Sequence, residues 1–200
     1  MIGVLLSGGV DSACLMGIAR ERGLDFCGIF VNWHQPSHWF EDFASESIAK
    51  HYGVMRHAMW MPSTELKKPM QTGVGAAGPR FVRGRNMLFL SMAATIPGID
   101  TVWFGACRDD WEDYADCTED FVSKASAALS VYGISVEAPL IGMDKREIRE
   151  ACRDLEVPVH LAWSCYEPRD GQQCGSCNSC ISNRTGYANR YGEKPPLLDM

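Results

Sequence analysis

Short apolar runs alternate with longer amphipathic stretches along most of this chain, and this alternation constrains the fold more than any other feature. Runs rich in Val, Ile and Phe predict β-strands at residues 2–6, 26–31, 55–60, 101–105 and 135–137. Apolar residues at i, i+3 and i+4 spacing predict helices at residues 11–22, 39–51, 85–96, 120–132 and 145–155. We therefore expect an α/β protein with a mostly parallel, Rossmann-like sheet flanked by helices.

Composition and charge exclude several classes of protein. Of the 200 residues, 46% are hydrophobic and 22% are charged, which is typical of a globular chain and not of collagen, a disordered protein or a disulfide knot. The net charge of −6 argues against binding along a nucleic-acid backbone, so we expect no direct nucleic-acid partner. No apolar stretch reaches the roughly 18 residues of a membrane span, and Met1 leads almost directly into the first strand. These features predict a cytoplasmic protein with reduced cysteines and no membrane partner.

The periodic pattern changes in two places. Residues 61–83 are rich in Gly and Pro, which predicts a long loop near the carboxyl edge of the sheet. From Pro158 onward the periodicity fades, and Cys, Gly, Ser and Asn dominate. We therefore predict an α/β domain at residues 1–157 and a small C-terminal module at residues 158–200.

The first predicted strand runs into Ser7-Gly8-Gly9-Val10-Asp11-Ser12 and then into a helix. Two glycines allow a tight turn, and the N–H groups of the following helix start form an anion site that suits phosphate. An ordinary strand-to-helix turn, with Ser12 or Asp11 as the N-cap, is the alternative. Ligands of open α/β sheets bind at the carboxyl ends of strands, which favours the phosphate site.

Four cysteines crowd together near the end of the chain, at Cys165, Cys174, Cys177 and Cys180. Four thiolates within 16 residues suit tetrahedral zinc, and a closed four-sulfur site is structural rather than catalytic. An iron–sulfur cluster is the main competitor, since Cys-x2-Cys-x2-Cys also occurs in ferredoxins. Four unrelated free cysteines remain as the simplest alternative.

These motifs together resemble the 7-cyano-7-deazaguanine synthase (QueC) family of the ATP pyrophosphatase (PP-loop) superfamily. The matching segments are residues 7–12, 81–86, 88–90, 105–107, 114–117 and 163–166, followed by Cys174, Gly175, Cys177 and Cys180. The resemblance implies an adenine nucleotide alpha hydrolase-like fold and a homodimer. It also implies an ATP-dependent C–N ligase that converts 7-carboxy-7-deazaguanine and ammonia into the nitrile through adenylated intermediates, with Mg²⁺ and structural Zn²⁺.

The resemblance also suggests which residues carry the reaction. Asp11, Arg85 and Lys145 are the expected catalytic residues. The nucleotide would contact Leu6, Ser7, Gly8, Gly9, Val10, Asp11, Ser12, Arg85 and Asn86. The deazaguanine ring would contact Asp110, Trp111, Tyr114 and Asp116, because a carboxylate can accept two N–H donors from its edge and an aromatic ring can stack on it.

Each of these assignments has a plainer alternative. Arg85 could be an exposed arginine with Asn86 as a helix cap, although an Arg fork can also clamp a phosphate or a carboxylate. Asp110 lies in an acidic stretch of the kind that is usually solvated. Lys145 could be an ordinary helix residue that follows Asp144 as N-cap. His34 and His57 lie near predicted strand ends but are assigned no role.

Three other functions remain open from the sequence. The same adenylation machinery could stop at 7-amido-7-deazaguanine. A PP-loop tRNA sulfurtransferase is more distant, since it needs a catalytic thiol in the cleft and a basic tRNA surface. A non-enzymatic zinc-ribbon interaction module is disfavoured, because the tail lacks a stripe of basic residues.

Overall fold

The computed structural model describes residues 1–61, 82–177 and 179–180. Its strands are β1 (Ile2–Leu5), β2 (Phe26–Asn32), β3 (Arg56–Trp60), β4 (Thr101–Trp103) and β5 (Ser135–Glu137). Its helices are α1 (Val10–Glu21), α2 (His38–Tyr52), α3 (Arg85–Ala93), α4 (Glu119–Leu129) and α5 (Lys145–Asp154). Every strand and helix predicted from the sequence is therefore confirmed in type and place.

Some predicted ends were wrong. The third helix ends at Ala93 instead of residue 96, where Pro97 disfavours a helical conformation for the residue before it. The fourth helix ends at Leu129 and continues as one 3₁₀ turn that stops at Gly133, whose φ is 74°. The segment between β4 and α4 forms two 3₁₀ turns, Arg108–Asp110 and Ala115–Cys117, which the periodicity did not predict.

The sheet is parallel throughout its described strands, in the spatial order β3-β2-β1-β4-β5. β1 lies at the centre, and the chain leaves it in opposite directions, first toward β2 and later toward β4. In such a sheet a crevice opens where the strand order reverses, beyond the carboxyl ends of the strands. The segments that follow β1 and β4 therefore face each other across this crevice.

Helices cover both faces of the sheet. On one face α1, α2 and α5 enclose an apolar cluster that includes Leu15, Ile48 and Ile148. On the other face α3 and α4 pack against the sheet through Leu90 and Leu129. Burial of each such side chain contributes roughly 1.5–3 kcal/mol, so these two layers hold the crevice in shape.

After α5 the chain forms a 3₁₀ turn at Val159–Leu161, and the segment that follows is irregular as far as residue 177. Its buried residues are Cys165, Cys177 and Cys180, with Trp163 and Cys174 packed against them. Most of the predicted loop at residues 61–83 lies outside the described residues, and so does the tail at residues 181–200. The boundary between residues 157 and 158 stays a prediction. Among the described residues, none of the helices is long and apolar enough to span a bilayer.

Candidate active site

The loop after β1 is shaped by close contact with α2. Gly8 has a φ of 84°, and a Cβ at this position would lie 2.7 Å from the backbone oxygen of Glu41. Only glycine combines this conformation with so little space. Leu6 is fully buried beneath the loop. The loop backbone is thereby held at the carboxyl end of the central strand.

The start of α1 leaves its first N–H groups available to a ligand. The helix begins at Val10 with Gly9 as its N-cap, and no side chain of the described residues caps it. The alternative in which Ser12 or Asp11 is the N-cap is therefore wrong, because both residues lie inside the first turn. Ser12 Oγ instead donates to Gly9 O at 2.9 Å and lies 3.2 Å from Ser7 Oγ. This arrangement of N–H groups and hydroxyls suits a phosphate.

Lys145 brings three distant parts of the chain together. Its Nζ lies 2.6 Å from Asp11 Oδ2 and 3.7 Å from Asp110 Oδ2. We call Asp11, Asp110 and Lys145 the Lys145 cluster. Burial lowers the pKa of the Lys145 ammonium, but the carboxylates of Asp11 and Asp110 outweigh burial and hold this pKa above its usual value. Lys145 is therefore a permanent cation in the crevice.

The start of α5 explains how Lys145 is aimed. Asp144 Oδ1 accepts from the Glu147 N–H at 2.8 Å, and Glu147 Oε2 accepts from the Asp144 N–H at 2.8 Å, which is a capping box. Lys145 N also donates to Asp109 Oδ2 at 3.1 Å. The two sequence interpretations of this segment are compatible, because Asp144 caps the helix while Lys145, the next residue, points into the crevice.

Asp110 is the best defined of the four residues predicted to contact the deazaguanine ring. Its Oδ2 accepts a hydrogen bond from the Cys107 thiol at 3.1 Å. Burial raises the pKa of Asp110, and the Lys145 ammonium opposes that effect. Burial also raises the pKa of Cys107 to about 12, so this thiol stays protonated at neutral pH. Asp110 is therefore half-buried, with 25% of its side chain exposed, whereas Glu112 and Asp113 of the same acidic stretch are exposed, as the solvated-loop alternative expects.

Arg85 defines the opposite side of the crevice. It is the first residue of α3 and follows Gly84, whose φ is 75°. Its guanidinium carbon lies 5.2 Å from the centroid of the Trp33 ring. Its Nε is buried and has no hydrogen-bond partner within the described part of the chain. A buried guanidinium donor without a partner is costly, so Arg85 is suited to bind an anion.

The Asn86 side chain joins the start of α3 to the loop that follows β4. Its Nδ2 donates to Asp116 O at 3.1 Å and to Cys117 Sγ at 3.6 Å. The alternative in which Asn86 caps a helix is wrong, because Gly84 is the N-cap of α3. Burial raises the pKa of the Asp116 carboxyl, and Arg85 opposes that effect.

The remaining predicted residues lie at the edges of the crevice. Burial is also the main cause of the raised pKa of Tyr114. Trp111 is 37% exposed at the surface of the same loop. The ring-binding roles of these residues stay predictions.

Sequence reasoning gave no role to two residues of the crevice. Trp33 follows β2 and carries the Arg85 guanidinium on its ring. Tyr166 lies close enough to the Lys145 cluster for its charges to act on the phenol, whose pKa burial raises first of all. The signal for Tyr166 in the sequence was its place in the segment 163–166, which matches the QueC family, but that match gave it no role.

The four tail cysteines form a site that fits one metal ion. Their Sγ atoms all lie within 4.8 Å of one another, and we call them the cysteine centre. Backbone N–H groups point at the thiols, as from Cys174 to Cys165 Sγ at 3.1 Å and from Cys177 to Cys174 Sγ at 3.3 Å. The backbone N–H of Ser176 is the main cause that lowers the pKa of Cys174 to about 6. A thiolate at neutral pH is the form that binds metals.

The parallel sheet, the glycine turn after its central strand and the lysine contact with Asp11 together define a PP-loop α/β protein. The family model of "Queuosine biosynthesis protein QueC" matches residues 2–191. The chain therefore belongs to the QueC family.

Relatives named 7-cyano-7-deazaguanine synthase span nearly the same length as this chain. The protein of a Nitratiruptor species is 31% identical, and the match covers 92% of both chains. That of Chlorobium phaeovibrioides is 33% identical over 88% of this chain and 87% of its own. The solved tRNA thiolase NcsA of Methanococcus maripaludis, described with its 4Fe–4S cluster, has a TM-score of 0.53 at 16% identity and covers 96% of this chain and 67% of its own. The last likeness concerns the fold alone.

Proposed function

We propose that this chain is an ATP-dependent ligase that converts 7-carboxy-7-deazaguanine and ammonia into 7-cyano-7-deazaguanine. The observation that carries the proposal is the Asp11–Lys145 contact of 2.6 Å beside the phosphate loop, in a chain of the QueC family. ATP is the nucleotide that such a loop serves, and 7-deazapurine biosynthesis is the context.

The reaction requires activation of a poor leaving group. Oxide cannot be displaced from a carboxylate by ammonia, so the carboxylate first attacks the α-phosphorus of ATP and releases pyrophosphate. Ammonia then displaces AMP to give the amide. A second adenylation, on the amide oxygen, allows AMP and a proton to leave and the nitrile to form. The protein therefore contributes positioning and charge stabilisation.

We assign these tasks to residues on both sides of the crevice. The PP-loop, residues 6–12, would hold the β,γ-pyrophosphate with its N–H groups and hydroxyls. Lys145 would stabilise the charge that develops on the phosphate oxygens, since it stays an ammonium. Arg85 would bind the substrate carboxylate or a phosphate through its guanidinium, whose Nε has no hydrogen-bond partner among the described residues. Asn86 holds the Asp116 backbone, and Asp110 with Asp116 would bind the ring.

Magnesium would be held by the carboxylate of Asp11, because carboxylates are the protein ligands that Mg²⁺ prefers. Bound there, it would neutralise charge on the phosphates of ATP.

We propose that the cysteine centre holds structural zinc. A zinc–sulfur bond of about 2.3 Å in a tetrahedron separates the sulfurs by about 3.8 Å. The Sγ atoms of Cys174 and Cys180 are 4.0 Å apart, which supports a single ion. A 4Fe–4S cluster attaches each thiolate to a different iron, and therefore needs a wider spacing.

The thiols in the crevice argue against sulfur transfer. Cys107 and Cys117 both lie there, so a candidate thiol is present. Burial raises the pKa of both, to about 12 for Cys107, which leaves them as protonated thiols at neutral pH. A sulfur carrier needs a reactive thiolate instead.

Mass spectrometry of a defined reaction tests the proposal. Purified protein is incubated with Mg-ATP, ammonium and 7-carboxy-7-deazaguanine, and the products are compared with a reaction that lacks ammonium. We expect the nitrile together with AMP and pyrophosphate. Accumulation of the amide alone, with synthetic amide not consumed, would identify the amide-forming variant. No product and no AMP from folded protein would exclude both.

Two further expectations complete the proposal. We propose a homodimer that works in the cytoplasm on small molecules without a direct nucleic-acid partner. Light scattering of the purified chain would reveal a monomer if the dimer assignment is wrong.

A further inference from the structure

Trp163 touches three parts of the molecule at once. Its backbone N–H donates to Gly8 O in the PP-loop at 2.8 Å. Its ring stacks on Phe40 in α2, with centroids 4.2 Å apart and an interplanar angle of 12°. Its indole N–H donates to Cys165 O at 2.8 Å, next to the first sulfur of the cysteine centre. One side chain and its backbone thus join the PP-loop, α2 and the cysteine centre.

The hydrogen bond from Trp163 sets the orientation of the peptide between Gly8 and Gly9. Because a trans peptide is planar, its C=O and N–H point in opposite directions. With Gly8 O directed at Trp163, the Gly9 N–H points away from Trp163, toward Ser7 Oγ at 3.4 Å. This long contact leaves the Gly9 N–H able to serve a phosphate. Rotation of this peptide would withdraw a donor from the phosphate site.

The other side of Gly8 is already occupied. A Cβ on Gly8 would lie 2.7 Å from Glu41 O and 3.0 Å from Ala44 Cβ, both in α2. Gly8 is therefore confined between α2 and Trp163. Since Phe40 belongs to the same helix, the stacked rings fix the distance between these two walls.

Metal in the cysteine centre would restrain Trp163 through Cys165. Cys165 is fully buried, and its Sγ accepts from the Cys174 N–H at 3.1 Å. Its carbonyl, which holds the indole, is in the same residue as this ligand. Without metal, no coordination bond ties Cys165 to the other three sulfurs, and the position of Cys165 is less restrained.

We propose that Trp163 is a positioning residue that couples the cysteine centre to the PP-loop, so that metal in the centre increases the affinity for ATP. The inference rests on the proposed function, in that the crevice binds ATP and the cysteine centre binds metal. It adds a regulatory link between these two sites.

A thermodynamic cycle tests this coupling. The dissociation constant of Mg-ATP is measured by calorimetry for wild type and Trp163→Ala, each with metal bound and after chelation, with metal content checked by elemental analysis. For wild type we expect removal of metal to weaken ATP binding about tenfold, which corresponds to about 1.4 kcal/mol. In Trp163→Ala with metal bound, ATP binding should already be about tenfold weaker, and chelation should add less than twofold.

Two further variants separate positioning from general damage. Trp163→Phe keeps the backbone N–H and a ring that can stack on Phe40 but lacks the indole N–H, so we expect an intermediate response. Trp39→Ala removes a 73% exposed tryptophan from the same helix as Phe40 and should respond like wild type. With metal bound, Trp163→Ala should raise the KM for ATP but not the KM for the carboxylate substrate. A loss of stability alone would not change one KM and leave the other unchanged.

The outcomes are distinct. The coupling would be overturned if chelation weakened ATP binding equally in wild type and Trp163→Ala. It would also be overturned if chelation did not weaken ATP binding in wild type. If chelation unfolds the chain, unchanged ATP binding by metal-loaded Trp163→Ala would overturn it instead. Failure of metal-loaded wild type to bind ATP would contradict the proposed function itself, and the link would fall with it.

Discussion

The α/β body and the cysteine segment, which we define as residues 163–177 and 179–180, are stabilised by different interactions. The body buries large apolar side chains such as Leu15, Ile48 and Leu90 on the two faces of a sheet. The buried cluster of the cysteine segment consists of three thiols, with Trp163 and Cys174 packed against it. Three thiols bury little apolar area, whereas metal bonds to thiolates contribute on the order of 10 kcal/mol. We infer that burial folds the body and that coordination folds the segment.

Removal of one metal ligand should therefore have the largest effect, and it should be confined to the cysteine segment. We expect Cys177→Ala to bind metal far more weakly, since only a water could take the fourth position of the tetrahedron, with the loss of a large part of a metal-binding free energy on the order of 10 kcal/mol. Elemental analysis would measure the metal, and hydrogen exchange would show residues 163–177 opening first. A soluble, metal-free and fully active Cys177→Ala protein would show that the centre has no structural role.

Cys27→Ala is the matched control for this prediction. Cys27 is a buried thiol of β2, only 1% exposed, and it belongs to the apolar cluster of the body. Its replacement should cost about 1 kcal/mol through a small cavity and leave the metal content unchanged. Loss of metal from Cys27→Ala as well would mean that the body and the segment do not fold by separate interactions.

The second prediction concerns the rate of the reaction in the crevice of the α/β body. Lys145→Met should lower kcat for AMP release by 10²–10³-fold, about 3–4 kcal/mol, because it removes the cation between Asp11 and Asp110. The metal content should not change. Lys124→Met is the control, since Lys124 forms an exposed ion pair with Asp120 on α4 and its loss should leave kcat within twofold. Similar rates for wild type and Lys145→Met would remove Lys145 from the reaction.

The sequence predicted the body better than the crevice. Strands and helices follow from local periodicity, so even the three-residue strand Ser135–Glu137 was predicted with its observed ends. The distance between Asp11 and Lys145 depends on how α1 and α5 pack, and only the motifs of a known family brought these residues together. Neither periodicity nor a motif predicted Trp163 as a link, because its contacts to Gly8 and Phe40 connect residues more than 120 positions apart.

The third prediction compares two glycines with positive φ. Gly8→Ala should lower the free energy of unfolding by about 2–3 kcal/mol, because a Cβ there meets Glu41 O at 2.7 Å in addition to the unfavourable φ of 84°. Gly53, which ends α2, has a φ of 68° and no described atom within 4 Å of an added Cβ. Gly53→Ala should therefore cost only about 1 kcal/mol. Urea unfolding of both variants measures the difference, and equal losses would mean that the PP-loop can move away from α2.

The prediction with the smallest effect compares two helix caps of the body. One begins α4, and the other begins α5 beside the crevice. Thr118 Oγ1 accepts from the Phe121 N–H at 3.2 Å at the start of α4, and Asp144 caps α5 beside Lys145. Thr118→Ala should lower the free energy of unfolding by about 1 kcal/mol, and Asp144→Ala should lower it by about 1–2 kcal/mol. Only Asp144→Ala should also lower kcat, by several-fold, because the capping box aims the residue that contacts Asp11. If both variants lost stability but neither lost activity, the first turn of α5 would hold Lys145 in place without its cap, and the packing of α5 against α1 would be the main constraint on the Lys145 cluster.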